Sequence, residues 1–473
     1  MDSEEFRRHA HQLVDWMADY FRDVGSLPVT PAVQPGDILR QIAQPPENGE
    51  SFDRLFRDFR EIILPGMTHW NHPGWFAYFP GNNSPPSVLA EMLTATLGAQ
   101  CMSWATSPAA TELEQGMMEW LRRMLGLPEG FVGAIQDTAS TATLVALLSA
   151  REKATGHDAG RAGLAGRGSP LTVYTSSEAH SSVEKGVKLA GYGLEWLRKV
   201  AVDRNFAMQP DELERNVIAD RKAGFTPACV VATVGTTSST AIDPLPAIAE
   251  ICRRQNVWLH VDAAYAGTAA IVPELRHLFD GMEQADSFVF NPHKWLLVNF
   301  DCSAYFVRDQ ETLLRTFRVS PEYLRTEQDS AVTNYRDWGI QLGRRFRALK
   351  LWFVIRSYGV EGLRAVVRKH VALAAELAGW VEQDPAFDLM APAPFGLVCF
   401  RYRPDAGMTG AALDELNREL LAKVNATRRV HLTHTRLSGQ YVIRVAVGQL
   451  QTGRAHVAEL WRLIKEAAAG LSG

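Results

Sequence analysis

Residues 257–295 read VWLHVDAAYAGTAAIVPELRHLFDGMEQADSFVFNPHKW. The stretch opens on a short apolar run that ends at Asp262, and it closes on a second run, 287–290, that ends at Asn291-Pro292-His293-Lys294. Runs this short and this uniformly apolar read as strands buried on both faces, the pattern of a parallel sheet covered by helices. Further runs at 131–135, 171–175 and 229–234 are separated by helical stretches, so the chain is predicted to be α/β with a mostly parallel central sheet. Open sheets of this kind hold ligands beyond the carboxyl ends of their strands. Here five such ends are polar: 136–140, 176–180, 235–237, Asp262 and 291–294. Together they point to one shared ligand, anionic at one end and reactive toward an amine.

With 473 residues the chain is too long for one core of ~250–300 residues, so two or three lobes are expected. Lys and Arg number 49 against 53 Asp and Glu, a net charge of −4, which offers no basic field for nucleic acid or an anionic membrane. The five cysteines, Cys101, Cys229, Cys252, Cys302 and Cys399, are scattered and form no C-x-x-C pair, against both a disulfide framework and a metal cluster. The opening MDSEEFRRHAHQLVDW has no basic-then-apolar leader pattern, and no run of ~20 apolar residues follows. A cytoplasmic protein is expected.

Ser3 is the expected cap of a first helix carrying Phe6, Leu13, Val14, Met17 and Phe21 before Gly25 and Pro28. Phe52, Leu55, Phe56, Phe59 and Ile63 repeat the stripe ahead of Pro65-Gly66. These faces need cover, either on the large lobe or on a second subunit. The Gly- and Ala-rich residues 151–170 read as a helix end and surface loop. A helical stretch over 344–359 leads to strands at 397–402 and 441–447 and a closing helix near 454–469. The division expected is an arm over 1–84, a large α/β domain over 85–350 and a small α+β domain over 351–473.

Lys294 sits between a proline-stiffened turn and Trp295 in an apolar stretch. Such a setting lowers a lysine pKa from ~10.4 and lets the amine attack a carbonyl; a surface lysine snorkelling past Trp295 would show the same letters. A buried carboxylate at Asp262 needs a cation, and a protonated pyridine nitrogen is one partner, a helix cap or internal salt bridge another. Residues 138–141, TAST, open an apolar helix whose free N–H groups and hydroxyls either hold a phosphate or cap the helix. No G-x-G-x-x-G occurs. His180 suits ring stacking and proton handling, or is a solvated loop residue.

The segments AHSSVEK (179–185), HVDAAYAG (260–267) and NPHKWLLVNFDCS (291–303) resemble group II pyridoxal-phosphate-dependent decarboxylases, specifically the aromatic-L-amino-acid decarboxylase family. The likeness runs from THWNHPGWFAYFP (68–80) to LGRRFRALKLWF (342–353). It implies the aspartate-aminotransferase-like fold type I of pyridoxal-phosphate-dependent transferases, with helices on both sheet faces, working as a homodimer with its active site at the subunit interface and its arm over the partner. By resemblance, Lys294 holds pyridoxal 5'-phosphate covalently, Asp262 pairs with its ring nitrogen, Ala264 lies under the ring, His180 stacks on it and Thr237 is close by. Ala139, Ser140 and Asn291 hold the phosphate, with His293 adjacent. Tyr323 in RVSPEYLR (318–325) returns a proton to the carbon that has lost CO₂, from a mobile loop over 318–334.

Trp70, Phe79 and Pro80 line the substrate pocket on the same reasoning, with Met102 from the facing subunit and Gly396 at a position where glycine accompanies indole substrates. Gly81 stands where some relatives have a hydroxyl residue. The implied activity is decarboxylation of an aromatic L-amino acid of the Trp, 5-hydroxytryptophan, DOPA, Phe or Tyr class to its amine. Related aldehyde synthases typically carry Phe at the position of Tyr323, and some carry Asn at that of His180. An aldehyde synthase, a glutamate- or histidine-type decarboxylase, an aminotransferase and a non-catalytic cofactor-binding protein are the alternatives.

Overall fold

The computed structural model describes residues 1–42, 44–319, 328 and 331–471. Among them seven strands make the central sheet: β1 (Val132–Gln136), β2 (Leu171–Ser176), β3 (Leu197–Val200), β4 (Thr226–Thr233), β5 (Trp258–Asp262), β6 (Ser287–Phe290) and β7 (Ser303–Val307), in the order β1-β7-β6-β5-β4-β2-β3. The strands from β3 through β6 pair in parallel. β7 is antiparallel to both β6 and β1, so β1 runs with the rest and its carboxyl end reaches the same sheet edge.

The apolar runs follow from cover on both faces. Val145, Ala146 and Ala150 of the helix Ala139–Ala154 pack with Val173, Val231, Val289 and Val307 on one side. Leu259, Val261, Phe288 and Phe290 pack with Leu121, Ala266 and Ile271 on the other. On β5 this alternation leaves Trp258, His260 and Asp262 sharing one face. The sequence reading omits β3, whose Arg198 and Lys199 break any apolar run, and β7, which follows the apolar LLVNFDC with no turn signal between.

Four antiparallel strands, β8 (Phe387–Leu389), β9 (Leu397–Tyr402), β10 (Thr433–Leu437) and β11 (Gln440–Ala446), form a second sheet in the order β10-β11-β9-β8. Ser438 (φ 49°) and Gly439 (φ 78°) connect β10 to β11, the two consecutive positive φ values that a tight hairpin of matching twist demands. The helical stretch Arg347–Gln383 enters this lobe and breaks at Gly359 (φ 66°, ψ 166°).

At the other terminus Asp2, not Ser3, caps the helix Ser3–Asp23. Asp2 accepts from the Glu4 and Glu5 amides while the Glu5 carboxylate accepts from the Asp2 amide, a reciprocal pair unavailable to Ser3, which has Phe6 three residues on. The arm is tied to the small lobe: the Val29 amide donates to Arg428 O (2.8 Å), Arg428 Nε to Thr30 O (2.8 Å) and Gln451 Nε2 to Phe21 O (2.7 Å). Phe6 and Leu55 stay 59% and 53% exposed. Among the described residues no helix is long and apolar enough to cross a membrane, and no cluster of three or more His, Cys, Asp or Glu is arranged to hold a metal.

One buried ion pair locks β1 in place. Glu114, on the helix Pro108–Leu125, accepts from the Ile135 amide (2.8 Å) and from both terminal nitrogens of Arg344 (3.0 and 2.7 Å), and Arg344 donates to Ile135 O (2.7 Å). Removing one partner strands a buried charge, at a cost of about 3–5 kcal/mol. Glu114→Ala is therefore expected to lower the thermal unfolding midpoint by several degrees, with partial recovery on adding Arg344→Met. An unchanged midpoint in Glu114→Ala would remove this pair from the account.

Candidate active site

The register of the parallel strands brings the polar ends together. Thr233 of β4 lies beside Asp262 of β5, which lies beside Val289 of β6. Asp262 thus ends its strand level with the segments that continue into Gly235-Thr236-Thr237 and Asn291–Lys294. Gly235 has φ 83°, and a Cβ there would sit 2.6 Å from the Ala266 Cβ, so only glycine lets the chain turn here.

These ends enclose a cavity of about 220 Å³. Ala139 and Ser140 line it from the first turn of the helix Ala139–Ala154, and His180, Thr237, Asp262 and Ala264 line it too. Asn291, His293, Lys294 and Phe79 line it as well. Larger hollows of about 560, 740, 450 and 330 Å³ lie elsewhere, but none is lined by a histidine and only the 330 Å³ one by a lysine, Lys153. Chemistry, not size, selects the site.

Lys294 lies on the short helix Pro292–Trp295 with Nζ 5.3 Å from the Phe79 ring centroid. Burial pushes its pKa below the ordinary lysine value; Arg444 adds to that and Asp262 opposes it. No carboxylate among the described residues comes within ion-pair distance of the amine. Asp262 is buried, and its Oδ1 accepts from the Ala264 amide (2.9 Å).

The two cavity histidines are both held through Nδ1. His293 accepts there from the Cys302 amide (2.9 Å), which leaves the ring proton on Nε2; burial first and Lys294 second push its pKa down to about 4, so it is neutral near pH 7. His180 Nδ1 meets the Ser182 hydroxyl (2.8 Å) and the Ser182 amide (3.1 Å). Asn291 Oδ1 accepts from the Ser303 hydroxyl (2.7 Å), so its amide NH₂ remains available as a donor.

The donor set fits pyridoxal 5'-phosphate. A helix N-terminus with Ser140, together with the Asn291 amide, suits a phosphate. The buried carboxylate suits a protonated ring nitrogen, and the depressed amine suits an aldehyde.

Two residues that the sequence reading passes over stand at this site. Tyr265 stacks between Phe79 (3.9 Å) and Trp295 (4.8 Å), and its context AAYAG carries no signal beyond an aromatic among small residues. Arg444 lies in the centre of β11, its guanidinium 5.2 Å from the Phe79 ring centroid, while Nη2 donates to Thr237 O (2.7 Å), Nε to Ser238 O (3.2 Å) and Nη1 to the Thr433 hydroxyl (3.0 Å). No carboxylate among the described residues pairs with it. A buried arginine within the apolar YVIRVAV was the available signal.

Of the residues named for substrate, Phe79 lines the cavity, whereas Trp70, Pro80, Met102 and Gly396 lie outside its lining. Trp70 is 42% exposed and stacks on Tyr78 (5.5 Å). Met102 O accepts from the Arg336 amide (2.8 Å). Gly396 lies behind Tyr265: a Cβ there would stand 2.6 Å from the Tyr265 hydroxyl and 2.4 Å from Val447 O. Tyr323 lies outside the described residues, as does most of 320–330.

The family described as pyridoxal-dependent decarboxylase conserved domain matches residues 35–403. An aromatic-L-amino-acid decarboxylase of Sus scrofa is 45% identical over 486 residues, covering 100% of this chain and 98% of that protein. A phenylacetaldehyde synthase of Arabidopsis thaliana is 44% identical over 482 residues, covering 100% and 97%. The crystal structure of Oryza sativa TDC with PLP and tryptamine matches with a TM-score of 0.97 at 38% identity, over 100% of this chain and 99% of that one. The fold is type I of the pyridoxal-phosphate enzymes, and the cofactor is pyridoxal 5'-phosphate. The chain belongs to the pyridoxal-dependent decarboxylase family.

Because Arg444 lowers the Lys294 pKa, Arg444→Met is expected to raise the pH midpoint at which Lys294 in cofactor-free protein is labelled by pyridoxal and borohydride. Peptide mass spectrometry across a pH series reads that midpoint. A downward shift would contradict the charge arrangement.

Proposed function

We propose that the chain converts an aromatic L-amino acid to the corresponding amine and CO₂. The observation that carries this reading is the half-buried Lys294, its amine in one cavity with the Asp262 carboxylate and walled by the Phe79 ring. When bound, pyridoxal 5'-phosphate supplies an aldehyde for amines and a ring that accepts the electron pair left by a departing carboxylate. Lys294 provides the amine for that aldehyde. The Asp262 carboxylate would face the ring nitrogen and favour its protonated form.

Ala139, Ser140 and Asn291 hold the phosphate, and His293 presents Nε2–H beside them. Ala264, Thr237 and His180 bound the ring. The fixed charge of Arg444 favours a substrate that arrives with a carboxylate, and Phe79 favours an aromatic side chain. Trp70, Pro80, Met102 and Gly396 shape the remainder of the substrate site in this proposal.

The assembly proposed is a cytoplasmic homodimer with the active site at the subunit interface, Met102 coming from the facing subunit. The exposed Phe6 and Leu55 on the arm support a covered apolar face. The division into 1–84, 85–350 and 351–473 belongs to the same proposal.

Oxidative production of an aldehyde is the second reading, favoured by the 44% identity to phenylacetaldehyde synthase. Tyr323 decides between the two. A phenol of pKa ~10 is a competent proton donor to a carbanion, and without it dioxygen competes for the electron pair. Mass spectrometry of products from Trp, Phe, Tyr, DOPA, 5-hydroxytryptophan, His and Glu, run with peroxide detection, is expected to show amine from an aromatic substrate. Tyr323→Phe should lower amine yield about tenfold or more, with aldehyde and peroxide rising. Glutamate turnover without aromatic turnover would overturn the substrate class, and unchanged amine yield in the variant would remove Tyr323.

A further inference from the structure

We propose that Ser182 is a positioning residue which holds His180 as the neutral tautomer with its proton on Nε2. Ser182 begins the helix Ser182–Leu189 and is buried, and it too lines the cavity. Its backbone amide, one of the N–H groups left unpaired at a helix start, points at His180 Nδ1 (3.1 Å), and its hydroxyl oxygen lies 2.8 Å from the same nitrogen.

An amide N–H can only donate, so Nδ1 must be the ring's acceptor and the proton belongs to Nε2. With the amide fixed by the helix, the hydroxyl donates to the same lone-pair edge and leaves Nε2–H as the free polar edge of the ring. The amide contact favours the neutral imidazole, since imidazolium would set an N–H against it, and the hydroxyl, able to donate or accept, donates while the amide keeps Nδ1 the acceptor. The charged groups around His180 are Asp262 at the end of β5, Lys294 after β6 and Lys185 on the helix of Ser182; partial desolvation of the ring and the two lysines lower its pKa, and Asp262 raises it.

Ser182 therefore settles which nitrogen of His180 can give a proton and in what plane the ring stands. Ser181, its neighbour, is exposed and makes no corresponding contact with the imidazole among the described residues, so the role attaches to the second serine of AHSSVEK.

The test uses holoenzyme in three forms: wild type, Ser182→Ala and Ser182→Thr. Histidine-selective ¹⁵N NMR, with the His180 signal assigned by its loss in His180→Gln, reads tautomer and titration without any turnover. Ser182→Ala keeps the amide but loses the hydroxyl. Its His180 signal should titrate at higher pH with a smaller Nε2–H population, and Ser182→Thr should restore both. In turnover, Ser182→Ala should lower kcat about five- to tenfold with KM within about twofold, and its acid limb should move to higher pH.

The activity arm rests on the decarboxylase reading, whereas the NMR arm does not. Absent turnover in wild type with the expected NMR shifts would sink that reading and keep this one. A wild-type Nδ1–H tautomer, or an unmoved titration in Ser182→Ala, would overturn the proposal. Loss of bound cofactor in Ser182→Ala that Ser182→Thr fails to repair would make Ser182 a merely structural residue and equally overturn it.

Discussion

A lysine amine cannot remain charged in a dry cavity without an anion at hand, and the placement of Lys294 with Asp262 depends on that constraint. Arg444 sharpens it. Two cations and a single carboxylate share the space around Phe79, and Arg444 has its nitrogens spent on carbonyl and hydroxyl oxygens that carry no full charge. An anionic ligand would resolve the imbalance, and the helix N-terminus at Ala139 and Ser140 would suit its phosphate. Burial depresses the lysine first; Arg444 adds to that and Asp262 opposes it.

The scaffold keeps that arrangement rigid. Asp262 ends a strand whose preceding same-face residues are anchored through Ser287 of β6: Trp258 Nε1 donates to the Ser287 hydroxyl oxygen (2.9 Å), and His260 Nδ1 lies 2.9 Å from it. Burial pushes the His260 pKa down to about 4, so the residue two before Asp262 brings no competing charge near pH 7. On the far wall, the stack of Phe79, Tyr265 and Trp295 continues to His370, whose Nδ1 accepts from Trp295 Nε1 (2.9 Å). His370 Nε2 then reaches Gln449 O (3.0 Å), which ties the cavity wall to the small lobe.

Much of this is legible in the chain because chemistry sits where apolar runs stop. Asp262, Asn291 and Lys294 each interrupt or follow a run that has no other reason to turn polar, and those runs fall within a few residues of β1, β2, β4, β5 and β6. Arg444 is not legible in the same way, since it lies inside a run and acquires its meaning only when β11 is laid beside the 235–238 turn. Ser182 is read as part of a motif, but its bond to His180 depends on a helix starting at that residue and not at the one before. β3 lacks an apolar signature altogether because it closes the sheet at an edge, where Arg198 and Lys199 are tolerated.

The central claim is that one amine, at position 294, binds the cofactor aldehyde opposite the carboxylate at 262. Borohydride reduction of the holoenzyme followed by peptide mapping tests it most directly. The account requires a single reduced pyridoxyl adduct on the peptide containing NPHKW, at Lys294. An adduct on a different lysine, or protein that binds the cofactor yet yields no adduct, would contradict it.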